Sequence, residues 1–419
     1  MTSHATRSSG RKDLQDLRNL SRKPFLSYLQ KQVQPSLRRS RPAALKPAKY
    51  PLLAAFAPTH LWAWVTRYLG HRIGRRHSFP HYAQGDGDSG VYRLEGDGDE
   101  IRIALAGDWA TGTDEAEDVA RLIAAFKPHY SIHLGDVYYV GDAAETNENF
   151  LGIRNPHNNY EPCRWPPGSR GSFALNGNHE MYALGKAYFD RILSRMGLVI
   201  DERPQGQGAS YFCLENEHWR IIALDTGYNS IGLPVIEYLL PPDCGLNAVQ
   251  IDWLRGVVRP RRDDPRGIVL LTHHPCISRF DRSYRKPARQ LAEFFSGPVL
   301  WFWGHEHRIA IYEEAAPARG LRAFGRCVGH GGMPVDLSPQ EPPHPQYRVE
   351  FVDDRLYPND EHLTVGFNGF AQLVLQGKRL TVRYLDVFGT VVFTESWSAD
   401  RGTLTRLHPP LGASGPPSF

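Results

Sequence analysis

Asp108, Asp136, Asn178, His273 and the pair His305 and His307 each follow a short apolar run, and four of these runs turn at a glycine. Carboxylate, amide oxygen and imidazole suit divalent or trivalent ions of the zinc, iron and manganese range. So many donors would over-coordinate a single ion. Two ions sharing a bridging carboxylate is the economical arrangement, and such pairs serve in-line displacement at phosphorus. The densest stretch is Trp301-Phe302-Trp303-Gly304-His305-Glu306-His307. In extended backbone, residues i and i+2 point to the same side, so both histidines are expected to reach one small volume. They stand at the carboxyl end of an apolar strand, where open α/β sheets place their ligands.

The elements that must position these residues read from periodicity. Strands are expected over Ile101–Ala106, Ser131–Leu134, Phe173–Leu175, Ile268–Leu271 and Pro298–Trp303, the last buried on both faces. Between them, the spacing of Val119, Leu122, Ile123 and Phe126 predicts a helix over Glu115–Phe126. Further helices are expected over Lys186–Met196, stopping at Gly197, over Ala288–Phe295, and from an Asn247 cap through Val258 with Gln250 as reciprocal partner. Tyr211–Leu214 and Trp219–Leu224 read as a hairpin, as do Phe370–Leu375 and Leu380–Asp386, with Val391–Trp397 as a third strand. Glycines 329, 331 and 332 cluster around His330, and a proline-rich loop runs from Pro334 to Pro345. No internal repeat is visible.

At 419 residues with 41% hydrophobic composition, the chain is long enough for a packed globule of one or two domains. No apolar run reaches the length of a membrane span, and no secretory signal precedes the fold, so a cytoplasmic location is expected, with a membrane-peripheral one as the variant. The five cysteines form neither a CxxC pair nor an even disulfide framework, which suits reduced thiols. Residues 1–49 hold 12 of the 49 Lys and Arg and only two acids, so the basic character belongs to an arm and the body is mildly acidic. Such an arm suits a solvated tail, or contact with an anionic membrane surface or nucleic acid. An amphipathic helix is expected over Thr59–Ile73. The division is a basic extension over 1–90, a catalytic domain over 91–398 and a tail over 399–419.

Gly107-Asp108-Trp109, Gly135-Asp136-Val137-Tyr138-Tyr139, Gly177-Asn178-His179-Glu180, His273-His274-Pro275 and Gly304-His305-Glu306-His307 resemble, in order and spacing, the five motif blocks of calcineurin-like metallophosphoesterases. Strand-end capping would account for any one of these blocks; five in family order outweigh it. The resemblance implies an α/β fold, a four-layer αββα sandwich of two mixed sheets with the metals at one end. Most of the superfamily has a histidine two residues after the first aspartate, where this chain has Ala110. Purple acid phosphatases lack it too and use a tyrosine three residues after the second aspartate, here Tyr139. A phenolate favours Fe(III).

The resemblance therefore implies one metal on Asp108, Asp136, Tyr139 and His307, and a second on Asp136, Asn178, His273 and His305. The cofactor expected is Fe(III) with a divalent zinc, manganese or iron. His179 resembles the acid that protonates the leaving oxygen, and His274, His330 and Arg279 are expected at the substrate or beside a ligand. The implied function is hydrolysis of a phosphomonoester. A phosphodiesterase or nucleotide-processing enzyme is the alternative, and a non-catalytic scaffold of the same fold a third reading.

Overall fold

A computed structural model describes residues 70–72, 74–82, 87–156, 162–232, 242–261, 264–358 and 364–407. The basic arm, and all but residues 70–72 of the helix expected over Thr59–Ile73, lie outside the described residues.

In chain order the elements begin β1 (Val91–Arg93), β2 (Glu100–Ala106), α1 (Asp114–Phe126), β3 (Tyr130–His133) and α2 (Ala143–Asn149). There follow β4 (Gly171–Ala174), α3 (Asn178–Tyr182), β5 (Gly197–Ile200), β6 (Arg203–Pro204), β7 (Phe212–Glu215) and β8 (Trp219–Ala223). The second half starts with α4 (Ala248–Trp253), β9 (Gly267–Leu271), α5 (Arg285–Leu291) and β10 (Pro298–Trp303). After these come β11 (Ile309–Ala318), β12 (Leu321–Val328), β13 (Val349–Val352) and the small pair β14 (Leu356–Pro358) and β15 (Thr364–Gly366). The meander β16 (Gly369–Gln376), β17 (Arg379–Asp386), β18 (Val391–Asp400) and β19 (Thr403–Arg406) closes the fold.

Two mixed sheets result. One runs β1-β7-β8-β9-β10-β12-β11-β13 and the other β19-β18-β17-β16-β2-β3-β4-β5-β6. β2, β3 and β4 are parallel, as are β8, β9, β10 and β12. Strand alternation explains the layers. Leu300 and Phe302 of β10 enter the space between the sheets, against Leu105, Ile132 and Phe173 of the other sheet. Val299, Trp301 and Trp303 face outward, onto Ile251 of α4 and Leu291 of α5. On the opposite side, Ala104 and Ala106 of β2 pack under Val119 and Ile123 of α1. The order is helix, sheet, sheet, helix, as expected for this α/β fold.

Helix α1 starts where Thr113 Oγ1 accepts from Ala116 N–H at 3.1 Å, with Asp114, Glu115 and Glu117 in its first turn, and ends at left-handed Lys127. A polar bridge joins the two sheets inside the sandwich. Arg326 of β12 makes a bidentate pair with Glu395 of β18, both contacts 2.7 Å and both side chains 0% exposed. Tyr384 of β17 donates to the same carboxylate at 2.7 Å.

Three expectations change. The segment expected as one helix over Lys186–Met196 is a π-helical turn over Tyr188–Ile192 followed by a 3₁₀ turn over Leu193–Arg195, entered through left-handed Leu184 and Gly185. Gln250 does not close a capping box; its amide is engaged by the backbone of Asp225, donating to the carbonyl and accepting from the N–H. The sheet also runs past 398, because Trp397, Ala399 and Leu404 keep alternating into the core and β19 pairs with β18.

Candidate metal centre

The carboxyl ends of β2, β3 and β4 meet those of β9 and β10 at one edge of the sandwich. Gly107 N–H donates to Val328 O at 3.0 Å, and Gly304 N–H to His273 O at 3.1 Å. Gly107 and Gly304 pass so closely that a Cβ on Gly107 would lie 2.9 Å from the Gly304 Cα; glycine alone permits that approach. Immediately afterwards Asp108, Asp136 and His305 adopt left-handed backbone, with φ of 58°, 74° and 65°. That conformation costs energy for a side-chain-bearing residue and reverses the chain sharply. It also corrects the extended geometry expected for His305 and His307, which approach different donors instead of sharing one side of a strand.

Two sets of donors form. In the first, Asn178 Oδ1 lies 2.9 Å from His305 Nδ1 and 3.2 Å from His273 Nε2, and His273 Nε2 is 3.3 Å from Asp136 Oδ2. In the second, the Tyr138 hydroxyl is 2.5 Å from Asp108 Oδ1, 3.1 Å from Asp136 Oδ2 and 3.0 Å from His307 Nε2. His307 Nε2 stands 3.6 Å from Asp108 Oδ1. Asp136 Oδ2 belongs to both sets.

The phenol in the second set is that of Tyr138, not of Tyr139. Left-handed Asp136 redirects the loop, and Tyr138 N–H then donates to Ala110 O at 3.1 Å, which fixes its ring over the carboxylates. The Tyr139 phenol is buried elsewhere, and burial together with the charges of Glu145 and Glu115 pushes its pKa up. What Tyr139 brings to the site is its carbonyl, which accepts from His179 Nδ1 at 2.8 Å.

Surrounding groups hold these donors in place. His273 Nδ1 donates to Leu134 O at 2.9 Å, which turns Nε2 inward. Asn178 Nδ2 donates to the Tyr182 hydroxyl at 3.1 Å, leaving Oδ1 toward the histidines. Asp108 Oδ2 accepts from His305 N–H at 2.7 Å, and Asp136 Oδ1 from His179 N–H at 3.0 Å. Glu180 Oε2 accepts from the N–H groups of Asp136 and Gly177 at 3.2 and 3.1 Å. The Tyr284 hydroxyl is 3.4 Å from His305 Nε2.

Burial, then the Asp136 charge, push Asp108 well up. Asp136 feels the same burial, but the positive charges of His273 and His179 outweigh it and hold the carboxyl low. His273 is opposed by burial yet raised by Asp136 to about 9, whereas burial and His273 press His305 down to about 3. Burial and Asp136 raise Glu180 to about 8. Two buried carboxylates thus lean on one imidazolium.

The donors fit cations. Asn178 Oδ1 has no hydrogen to give, and His273 Nδ1 is already committed to Leu134 O, so Nε2 and Oδ1 approach each other only with a proton or a metal ion between them, and a cation at that place serves both as the imidazolium proton does. The groupings Asp108, Asp136, His273 and His273, His274, His305 each bring ligand atoms within 4.8 Å of one another. His274 lies beside the first set, its ring 4.6 Å from that of His305, with Nδ1 3.0 Å from Thr226 Oγ1.

His330 and Arg279 are elsewhere. His330 is buried against Gly369, whose added Cβ would lie 2.9 Å from Nε2, and the charge it feels is that of Asp353. Arg279 Nη1 donates to Pro345 O at 2.8 Å and Tyr347 O at 3.0 Å, closing the proline-rich loop. The cation nearer the centre is Arg282, whose guanidinium lies 5.1 Å from the centroid of the Tyr284 ring. Sequence reasoning passed over Tyr138, Glu180 and Tyr284. Glu180 was open to discovery, since it lies in the same four-residue block as Asn178 and His179.

The family model described as calcineurin-like phosphoesterase matches residues 101–308. No curated protein matches the chain. Among solved structures, the chain is similar to GAP50, the anchor in the inner membrane complex of Plasmodium, at 13% identity and a TM-score of 0.45, covering 72% of this chain and 89% of that one. It is also similar to the purple acid phosphatase PPD1 of yellow lupin (Lupinus luteus) seeds, at 14% identity and a TM-score of 0.46, covering 74% of this chain and 55% of that one. PhoD is 13% identical with a TM-score of 0.43, covering 76% of this chain and 74% of its own. Among the described residues no helix is long and apolar enough to cross a membrane.

Proposed function

We propose, on the premise that residues 101–308 belong to the calcineurin-like metallophosphoesterases, that this chain is a phosphomonoesterase with a dinuclear metal centre of the purple acid phosphatase kind. The observation that carries the reading is Asp136 Oδ2, 3.3 Å from His273 Nε2 in one donor set and 3.1 Å from the Tyr138 hydroxyl in the other. One cation would be held by Asp108, Asp136, Tyr138 and His307, the other by Asp136, Asn178, His273 and His305. Bound there, the pair would supply the Lewis acidity that makes water nucleophilic near neutral pH and offsets charge on the phosphoryl oxygens. Burial and the charges of Asp108 and Asp136 push the Tyr138 phenol well up, so a phenolate forms only beside a strongly charged cation, which favours iron(III). Zinc, manganese or iron(II) suits the nitrogen-richer set.

His179 is the acid in this reading. Its Nδ1–H is committed to Tyr139 O, so Nε2 faces the centre, 3.9 Å from Asp136 Oδ2. A proton on Nε2 passes to the leaving oxygen as the ester bond breaks. Tyr138 and Tyr182 pack against the ring, with centroids 4.3 and 5.0 Å away, and hold its orientation. Glu180 fixes the backbone on both sides of the shared carboxylate, and Tyr284 steadies His305.

Metal analysis with a visible spectrum tests the centre. Iron with a tyrosinate charge-transfer band, lost in Tyr138→Phe and kept in Tyr139→Phe, is the expected result. A colourless protein holding two zinc ions removes the iron assignment. Substrate class is tested by comparing p-nitrophenyl phosphate with its bis ester: faster cleavage of the monoester is expected, and the reverse order makes the chain a diesterase. Metal-loaded protein that cleaves neither is a scaffold.

A further inference from the structure

β10 and β12 run parallel, so their first residues, Pro298 and Leu321, mark the end of the sandwich opposite the metal centre, about 20 Å away at 3.3 Å per residue. There a groove of about 630 Å³ opens between α5 and the turn joining β11 to β12. Arg285, Arg289, Arg319 and Arg322 line it, and neither a carboxylate nor an aromatic ring does. Arg285 and Arg289 lie four apart and share one face of α5. Arg319 stands in the turn before left-handed Gly320, and Arg322 follows on β12.

Four guanidinium groups on one groove repel each other unless something compensates them. Outside the groove, Asp243 pairs with Arg289 at 3.2 Å and Glu314 with Arg322 at 2.9 Å. Arg285 donates to the neutral Tyr347 hydroxyl at 3.0 Å. Among the described residues, Arg285 and Arg319 have no carboxylate partner, which leaves two uncompensated forks facing one volume. Guanidinium forks match phosphate oxygens bidentately. With no ring to stack on, nothing in the lining recognises a base, which disfavours single-stranded nucleic acid. The volume is that of a small-molecule site.

We propose that this groove is a second anion site, remote from the metal centre, for a ligand carrying two or more linked phosphates. It does not rest on the hydrolytic reading of the metal centre. The test is calorimetric titration of inorganic pyrophosphate into the full chain and into Asp136→Asn, Arg285→Ala and Arg319→Ala forms, with circular dichroism to check folding. The expected result is a site that survives Asp136→Asn and weakens about tenfold with each exposed arginine removed, while cleavage of p-nitrophenyl phosphate by the two arginine variants is unchanged. Pyrophosphate binding that disappears in Asp136→Asn or is indifferent to both arginines overturns the proposal, as does the absence of both pyrophosphate binding and the vesicle capture described next. Vesicles carrying a bisphosphorylated phosphoinositide form a second arm. Capture of these vesicles that is lost with the same two arginines keeps the proposal and assigns its phosphates to a lipid headgroup.

Discussion

His179 reaches the candidate centre through one nitrogen only, because its other nitrogen is tied to Tyr139 O at 2.8 Å. An acid placed this way affects the chemical step more than cation binding. In His179→Asn, kcat is expected to fall about 10²–10⁴-fold with metal content unchanged; a loss of metal at normal kcat would make the residue a positioning one. The neighbouring tyrosines are separated by the same logic. The resemblance to purple acid phosphatases points to Tyr139, three residues after Asp136. The left-handed turn at Asp136 directs Tyr138 inward instead, and no periodicity reports a turn of that kind. His330 and Arg279 have side chains suited to phosphate, but one is packed on Gly369 and the other holds two carbonyls. Residue type was legible in the sequence, whereas the partner that had already claimed the group was not.

At the level of elements, legibility follows burial. β10 is apolar throughout, and its residues alternate between the inter-sheet core and the outer layer, as a strand covered on both faces must. The π-helical turn over Tyr188–Ile192 was illegible, since its apolar spacing is that of an ordinary helix. So was the pairing of Arg326 with Glu395, from strands 69 residues apart along the chain. That pair predicts a clear cost. Arg326→Met leaves the fully buried Glu395 carboxylate with the Tyr384 hydroxyl at 2.7 Å and the Arg406 guanidinium at 3.3 Å, and urea unfolding should show a loss toward the lower end of about 3–5 kcal/mol. The double change Arg326→Met with Glu395→Leu should recover much of it, because removing both charges avoids the buried, unmatched one.

For the whole molecule, buried histidines set a pH dependence of folding, and His330, away from the metal centre, isolates one contribution. Burial lowers His330 from 6.5 to about 4, against the opposing pull of Asp353. Between those values the unfolded chain takes up a proton that the folded chain refuses. Stability from this group is therefore complete above about 6.5 and is lost as pH falls toward 4, by about 3 kcal/mol in all. Thermal melts across that window should fall less steeply with pH in His330→Asn than in the parent chain, and an unchanged slope would refute the assignment. The meeting of the two sheets at Gly107 and Gly304 has a mechanical consequence. Asp108, Asp136 and Asn178 arrive from one half of the sandwich, and His273, His305 and His307 from the other. Ions seated among them would rivet the halves together, so stripping them with a chelator should quicken amide hydrogen exchange at the tips of β2, β3, β9 and β10 in concert, while the distant edge strand β19 keeps its own rate.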